Sequence, residues 1–497
     1  MLDGIPPLHP RNELRAETGY VAQAGWGTQE MRQRLRILML ALIGCACVAS
    51  LAGAQTYEFG ALEGGSGKSI GGNIPGPLDD LIPAAGQWWS AHAQATIILE
   101  GMSPFHSPYV GPNSLVTGPQ LATTSSATIF FAAKLPWEGG MIIINPEVYG
   151  GLGVGNVFGL GAPPNGETQR VGDPSPSPYF ARFMFQQVFS LGGEWERLAD
   201  IANQIPEPRY KNNIVFKVGK FSVTDDFDDN TYSHDPRTQF MNWGLQYNPS
   251  FDFPANVRGY TYGTMIEANL GDYSARYGIY LVATVANGAG YDMNIGQAHG
   301  QAWEVERRWT ILNDLPGTFR LLGWLNNAHM GNYSEAVQQD PSAPDVTQTR
   351  QYRTRYGFGI SWDQEIIKGE LGIFGRLGYA DSYAETWMYT ECERTVSIGM
   401  LLKGVAWDRP KDEVGLAFMV DGLGPQHIAY LAAGGLGFEL GDGKINYAPE
   451  VVVETYYNLR VRKGLNVTLD LQMIDNPGYN HDRGPAFFAG LRGHLEY

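Results

Sequence analysis

The 497-residue chain is short of cysteine, of charge and of long apolar runs. Its three cysteines are Cys45, Cys47 and Cys392. The first two fall within the leader described below, so the processed chain keeps one thiol and no intramolecular disulfide. The nine histidines are scattered, with no H-x-x-x-H spacing and no cysteine partner, so no metal site is expected. Charged residues make up 17%, against about 25% in an ordinary soluble protein. The balance is acidic, a formal −16, which excludes the basic footprint that a nucleic-acid partner requires. Beyond residue 54 no segment reads as a spanning helix, which wants roughly 20 apolar residues. A chain of this kind can enter a membrane only as a closed barrel, because only helices and closed barrels satisfy every backbone group in lipid.

No cofactor motif survives inspection. "LEGGSGKS" (62–69) imitates a phosphate loop, but Leu62 stands where the first glycine belongs, and neither a strand before nor a helix after it is available. No cofactor is therefore expected.

What the chain does have is glycine, 63 residues, and aromatics, 12%. It also has an export signature. Arg32, Arg34 and Arg36 precede an uncharged, largely apolar stretch from Ile37 to Leu51, and Ala52-Gly53-Ala54 forms an A-x-A cleavage site. Residues 31–54 read as a signal peptide, and residues 1–30 as a leader of uncertain status, with Met31 a possible true start. A lipoprotein reading, with Leu42-Ile43-Gly44-Cys45 as lipobox, is the poorer competitor. Cleavage after Ala54 would remove five arginines and four acids, leaving a net charge of −17. Residues 55–91 are rich in Gly and Pro and read as an irregular lead-in.

From His92 to Tyr497 the pattern has period two, which sends alternate side chains to opposite faces of a strand. In "QYRTRYGFGISW" (351–362), Tyr352, Thr354, Tyr356, Phe358, Ile360 and Trp362 oppose Gln351, Arg353, Arg355, Gly357, Gly359 and Ser361. In "LNVTLDLQM" (465–473) and "VETYYNLRV" (453–461) apolar positions alternate with Asn, Thr, Asp, Gln, Glu and Arg. "TFRLLGWLN" (318–326) and "YFARFMFQQ" (179–187) behave likewise, with Tyr179, Ala181, Phe183 and Phe185 opposing Phe180, Arg182, Met184 and Gln186. Seventeen segments fit, one too many for the even count of a bacterial barrel, and 426–440, weakened by "AAGGLG", is the one to discard. The expected fold is all-β: a transmembrane antiparallel barrel of about 16 strands over residues 92–497. Short links such as "RKG" alternate with long polar stretches at 150–177, 222–257, 284–301 and 328–350, as short periplasmic turns alternate with long extracellular loops. The chain closes on "AFFAGLRGHLEY", an alternating strand with a terminal aromatic, Tyr497, which resembles the signal read by the barrel assembly machinery.

Several stretches resemble the carbohydrate-selective porins of the OprB type. They are "FKVGKFSVTDDFDDNTYSHDPRTQFMNWGL" (216–245), "HAQATIILEGMSPFHSPYVGPNSL" (92–115) and "NPGYNHDRGPAFFAGLRGHLEY" (476–497), with "PYFARFMFQQVF" (178–189) and "LGDGKINYAPEVVVETYY" (440–457) in support. The similar part opens at "HAQATIILE", without a tryptophan- and glycine-rich lead. The resemblance implies a sixteen-stranded barrel in the outer membrane of a Gram-negative bacterium, among lipid and lipopolysaccharide, passing sugars by passive diffusion as a monomer or homotrimer.

Parity places candidate pore-lining residues on the inner face: Arg182, Arg276, Glu304, Glu306, Arg308, Arg320, Trp324, Arg353, Arg355, Phe374 and Arg376, with Lys217 beside them. Guanidinium forks, carboxylates and aromatic rings suit a sugar's hydroxyls and apolar ring face. The bland reading is that these charges pair with each other along a wet wall. Asp225, Asp226, Asp228, Asp229 and Asp235 sit in "TDDFDDNTYSHDP", either a loop folded in to constrict the pore or a solvated outer loop. They match no calcium loop. Glu304 and Glu306 also imitate a glycosidase pair, but two carboxylates on one strand face beside Arg308 point to salt bridging rather than catalysis. Two other solute classes, divalent metals and organic anions, suit the same barrel, and a secreted glycan-binding β-protein is the competitor from another class.

Overall fold

The computed structural model describes residues 87–168, 175–312 and 314–497. The signal peptide and leader expected over residues 1–54, and all but the last five residues of the lead-in 55–91, lie outside the described residues.

Sixteen antiparallel strands form one closed ring in which each pairs with its neighbours in sequence. They are β1 (Trp89–Met102), β2 (Gln120–Lys134), β3 (Gly140–Leu152), β4 (Ser177–Arg197), β5 (Pro208–Phe221), β6 (Thr261–Leu270), β7 (Tyr273–Tyr280) and β8 (His299–Ile311). They continue as β9 (Leu315–Met330), β10 (Gln351–Ile367), β11 (Leu371–Ala380), β12 (Arg394–Gly404), β13 (Arg409–Gly422), β14 (Glu450–Arg462), β15 (Leu465–Asp475) and β16 (Ala486–Glu496). The ring closes where β1 meets β16, in register from Gln94–Glu496 to Met102–Phe488. Tyr497 extends the seam: Ala93 N donates to Tyr497 O at 2.9 Å, and Tyr497 N donates to Ala93 O at 2.8 Å.

The outer face follows the period-two pattern. Leu99, Leu469, Leu471, Phe487 and Leu491 point outward and are exposed, as are Tyr356, Phe358, Val396 and Ile398. Leu99 pairs with Leu491, and Leu491 with Leu469, so leucines stack across three strands. Such a continuous apolar wall belongs in hydrocarbon. Among the described residues no helix is long and apolar enough to cross a membrane.

Connections alternate strictly in length. One end carries 103–119, 153–176, 222–260, 281–298, 331–350, 381–393, 423–449 and 476–485. The other end has turns of two to five residues, except for 198–207 between β4 and β5. Among the described residues three short α-helices sit on long-loop segments: α1 (Trp243–Gln246), α2 (Tyr333–Gln339) and α3 (Pro425–Ala432). The discarded candidate 426–440 is where α3 lies. Pro425 opens it at a position whose missing N–H costs nothing, and His427, Tyr430 and Leu431 bury one face. Gly434, at φ 92°, marks the stop.

One face assignment needs correction. Opposite Asn145 and Pro146, β4 carries an extra residue: Arg182 pairs with Asn145 and Phe180 with Pro146, leaving Ala181 unpaired. This bulge flips everything before it. Phe180 therefore faces outward, 56% exposed, whereas Tyr179 turns inward, its hydroxyl on Glu147. Strict alternation had put them the other way round.

The outer wall makes a direct prediction. Replacing Leu491, 50% exposed at mid-strand, with arginine should destabilise the folded barrel by about 2–4 kcal/mol. Urea titration of the folded, heat-modifiable band measures this, and an unchanged midpoint would place that face in water.

Candidate functional site

The interior is occupied by the long connection between β5 and β6, residues 222–260. Its contacts run right round the wall. Asp228 pairs with Arg376 of β11 at 3.0 Å, and its backbone N–H donates to Glu304 of β8 at 2.9 Å. Asn230 donates to Ser361 of β10 at 3.0 Å. Arg237 reaches Glu147 of β3 at 3.1 Å. Asn242 N donates to Glu454 of β14 at 3.0 Å, and its side-chain amide to Gln472 of β15 at 3.1 Å. Arg492 of β16 donates to the carbonyls of Pro236 and Gln239 at 2.6 and 2.8 Å. β3 and β11 stand eight strands apart in a ring of sixteen, so the loop spans the diameter. The aspartate-rich stretch thus lies against the inner wall of the barrel.

The five aspartates have different surroundings. Asp225 is forked by Arg182, whose Nε lies 2.7 Å away, and it also accepts from Ser222 N at 3.2 Å. Burial pushes its carboxyl up, but Arg182 outweighs this and holds it below the usual value. Asp226 pairs with Lys217, which is thereby shown to face inward. Asp228 is the most enclosed, also accepting from Asn248 N at 2.6 Å. Asp229 is half-exposed, 3.9 Å from His234. Asp235 folds its own turn, accepting from Arg237 N and Thr238 Oγ1, both at 2.9 Å.

A second group forms a charged ladder on β6 to β10. Cross-strand register places Glu267 beside Arg276, Arg276 beside Glu304, and Glu306 beside Arg320. Arg276 binds Glu267, Glu304 and Glu306. Arg320 lies 3.1 Å from Glu306 and 2.7 Å from Asp363. Arg308 completes the row on Glu306 and also donates to Ser274 Oγ at 2.8 Å. At 39% side-chain exposure, Arg308 is the most open cation of this row. Glu304 and Glu306 are thus both taken up by arginines and loop backbone.

Several expected pore-lining side chains point inward but lie beneath loops. Arg355 and Arg376 have no exposed side-chain surface. Arg355 bridges Asp252 of the lumen loop, at 3.3 Å, and Glu393 of the β11–β12 loop, at 2.9 Å. Burial pushes the Asp252 carboxyl up to about 6, against the pull of Arg355 and the Trp387 and Met388 amides. Besides Asp228, Arg376 donates to the carbonyls of Leu245, at 2.9 Å, and Ser233. Trp324 packs against Phe251 at 6.3 Å between ring centroids, and Phe374 against Phe240 at 5.5 Å. Arg353 sits at the long-loop rim on Glu335 of α2 and the Thr349 carbonyl. These residues clamp the loops. The glycines between them serve the same end: a Cβ at Gly357 would lie 2.5 Å from Trp324, and one at Gly359 2.8 Å from Asn248.

Some clamps went unremarked in the sequence. Glu450 of β14 accepts from Gly161, Ala162 and Gly478 amides at 3.1, 2.9 and 2.8 Å, holding the β3–β4 loop inside as well. With Glu454 it forms a pair of wall carboxylates serving loop backbone. Their inward parity in "EVVVETYY" was the available signal.

A closed sixteen-strand barrel with an apolar outside, a charged inside and loops folded into its lumen is the architecture of an outer-membrane porin for small solutes. Residues 115–497 match the carbohydrate-selective porin, OprB family, and the chain belongs to it. That family is one of channels. Porin B of Pseudomonas aeruginosa is 22% identical over 357 residues, 66% of this chain and 73% of Porin B. A high-pH structure of OprB from Pseudomonas putida superposes with a TM-score of 0.63 at 14% identity, covering 82% of this chain and 94% of that one.

The clamp at Arg376 is testable. Arg376→Met leaves Asp228 buried without its cation, a loss of about 3–5 kcal/mol to the docked loop. Limited proteolysis of the folded barrel should then cut within 222–260, and adding Asp228→Asn should restore part of the protection. A single variant as resistant as the parent would contradict the clamp.

Proposed function

We propose that this porin passes carbohydrates, with other small hydrophilic solutes, by passive diffusion across the outer membrane of a Gram-negative bacterium. The observation that carries this reading is the ladder Glu267–Arg276–Glu304 and Glu306–Arg320–Asp363, with Arg308 open to water at its edge. Its arginines are held by carboxylates, so their forks are set in place before a solute arrives. Fixed donors and acceptors can exchange hydrogen bonds with sugar hydroxyls one at a time. Each contact must stay weak, because conduction requires release. Family membership supports the same solute class. Arg308, with the accessible edges of Arg182 and Arg276, is assigned to solute contact, while Glu304, Glu306 and Arg320 are buried and hold those guanidiniums in place. Trp324, Arg353, Arg355, Phe374 and Arg376 act one step back, by shaping the loops.

The remaining parts of the reading concern the cell. The leader at 31–54 exports the chain, and the assembly machinery recognises the strand ending at Tyr497. The leucine and aromatic wall then sits in lipid and lipopolysaccharide, one barrel or three together.

In planar bilayers the protein should give single-channel steps that sugars interrupt. Arg308→Ala should weaken that block and shift ion selectivity toward cations, since it removes the most exposed positive charge of the ladder. Steps that no sugar interrupts would overturn the carbohydrate reading. Reversal potentials and swelling rates would then assign the channel to divalent metals or organic anions.

A further inference from the structure

The turn between β4 and β5 is the exception at the short-turn end, ten residues where the others have two to five. Residues 198–207 form a compact tip. Gln204 N donates to Ile201 O at 3.1 Å, Gln204 Nε2 to Ala199 O at 2.7 Å, and Asn203 takes a left-handed conformation at φ 62°. The tip folds back into the barrel. Ser90 Oγ of β1 donates to Gln204 O at 3.0 Å, and His92 Nε2 lies 3.0 Å from Asp200. Lys134 of β2 lies 2.6 Å from Glu207, and Asn145 of β3 donates to Asn203 Oδ1 at 2.7 Å. Ser90, His92, Lys134 and Asn145 share the inward parity of Gln94, Thr128 and Glu147.

An apolar anchor completes the fit. Ser90 pairs with Ala132, Ala132 with Ile143 and Ile143 with Met184, making one row along the inner wall. Ile205, 2% exposed, packs into the cluster of Ala132, Ile143 and Met184. Asn145 is one step from this row and has a second partner: its Oδ1 accepts from Arg182 Nη1 at 3.4 Å. Arg182 in turn forks Asp225 of the lumen loop. The turn from one end and the loop from the other therefore meet through Asn203, Asn145, Arg182 and Asp225.

We propose that residues 198–207 form a second constriction, in series with the lumen loop, which limits passage by solute size. It occupies the β1–β4 side of the lumen and leaves the charged ladder on β6–β10 uncovered by the turn. The assignment rests on the chain's being a porin and does not depend on sugars being its solute.

Two experiments on the reconstituted, folded protein test it. In the first, residues 199–206 are replaced by Asn-Gly, the preferred two-residue hairpin turn. Ion conductance should rise at least about twofold, and liposome swelling should accelerate more for trisaccharides than for monosaccharides. Unchanged conductance and unchanged size dependence in a variant that keeps the heat-modifiable band would overturn the proposal. The second avoids any deletion. Among the described residues Cys392 is buried and free, so Asn203→Cys in a background with Cys45, Cys47 and Cys392 changed to Ser offers one thiol at the tip of the turn. Attaching a sugar-sized thiol reagent there should cut the ion current by about half. A current indifferent to the label would show that the tip lies off the path. Each experiment includes an ionic readout, so a channel whose current responds to these changes yet ignores sugars would refute the carbohydrate reading and leave the constriction standing.

Discussion

Everything in this molecule depends on the seam between β1 and β16. A strand edge cannot face hydrocarbon, because an unpaired peptide group has no water there to bond. Sixteen strands meet that requirement by pairing each with its sequence neighbours and then the last with the first. The final residue takes part, with Tyr497 exchanging both of its backbone bonds with Ala93. Once the ring is closed at this size, its interior is too wide for side chains alone to fill. The long connections are brought in to furnish it.

Bringing backbone into a lumen raises the same problem as before. Loop amides and carbonyls leave bulk water and must find partners. The wall supplies them with charged groups: Glu450 and Glu454 accept from amides of three loops, while Arg376 and Arg492 donate to loop carbonyls. A buried charge used this way must itself be compensated, which explains Asp228 against Arg376 and Asp252 with Glu393 against Arg355. The low overall charge of the chain is thus concentrated where it braces the interior. The less enclosed edge of the same charge set, at Arg308, is the part proposed to meet solutes.

Much of this was legible in the sequence, for a physical reason. A barrel wall separates lipid from water at every second residue, so alternation reports the side chain's direction directly. It placed Arg353 and Arg355 inside and Tyr356 and Phe358 outside, as the structure has them. Alternation fails where one residue is added. The bulge at Ala181 reversed Tyr179 and Phe180, and period two carries no mark of it. Parity is also silent about what covers an inward residue. Arg355 and Arg376 read as lining a channel. The space over Gly357 and Gly359, beside Arg355, is filled by Trp324 and Asn248 of the protein itself. Contacts between residues more than a hundred positions apart, such as Asp228 with Arg376, have no local signature. The helix at 425–432 was visible only as a strand pattern that failed.

The loop 222–260, clamped across the diameter, is proposed to set what the channel passes. The most direct measurement is single-channel conductance, with and without added sugar, of a barrel in which residues 226–256 are replaced by a short flexible turn. Conductance should rise severalfold above the parent, and sugars should no longer interrupt the current. A shortened protein with the parent's conductance and the parent's sugar block would contradict it.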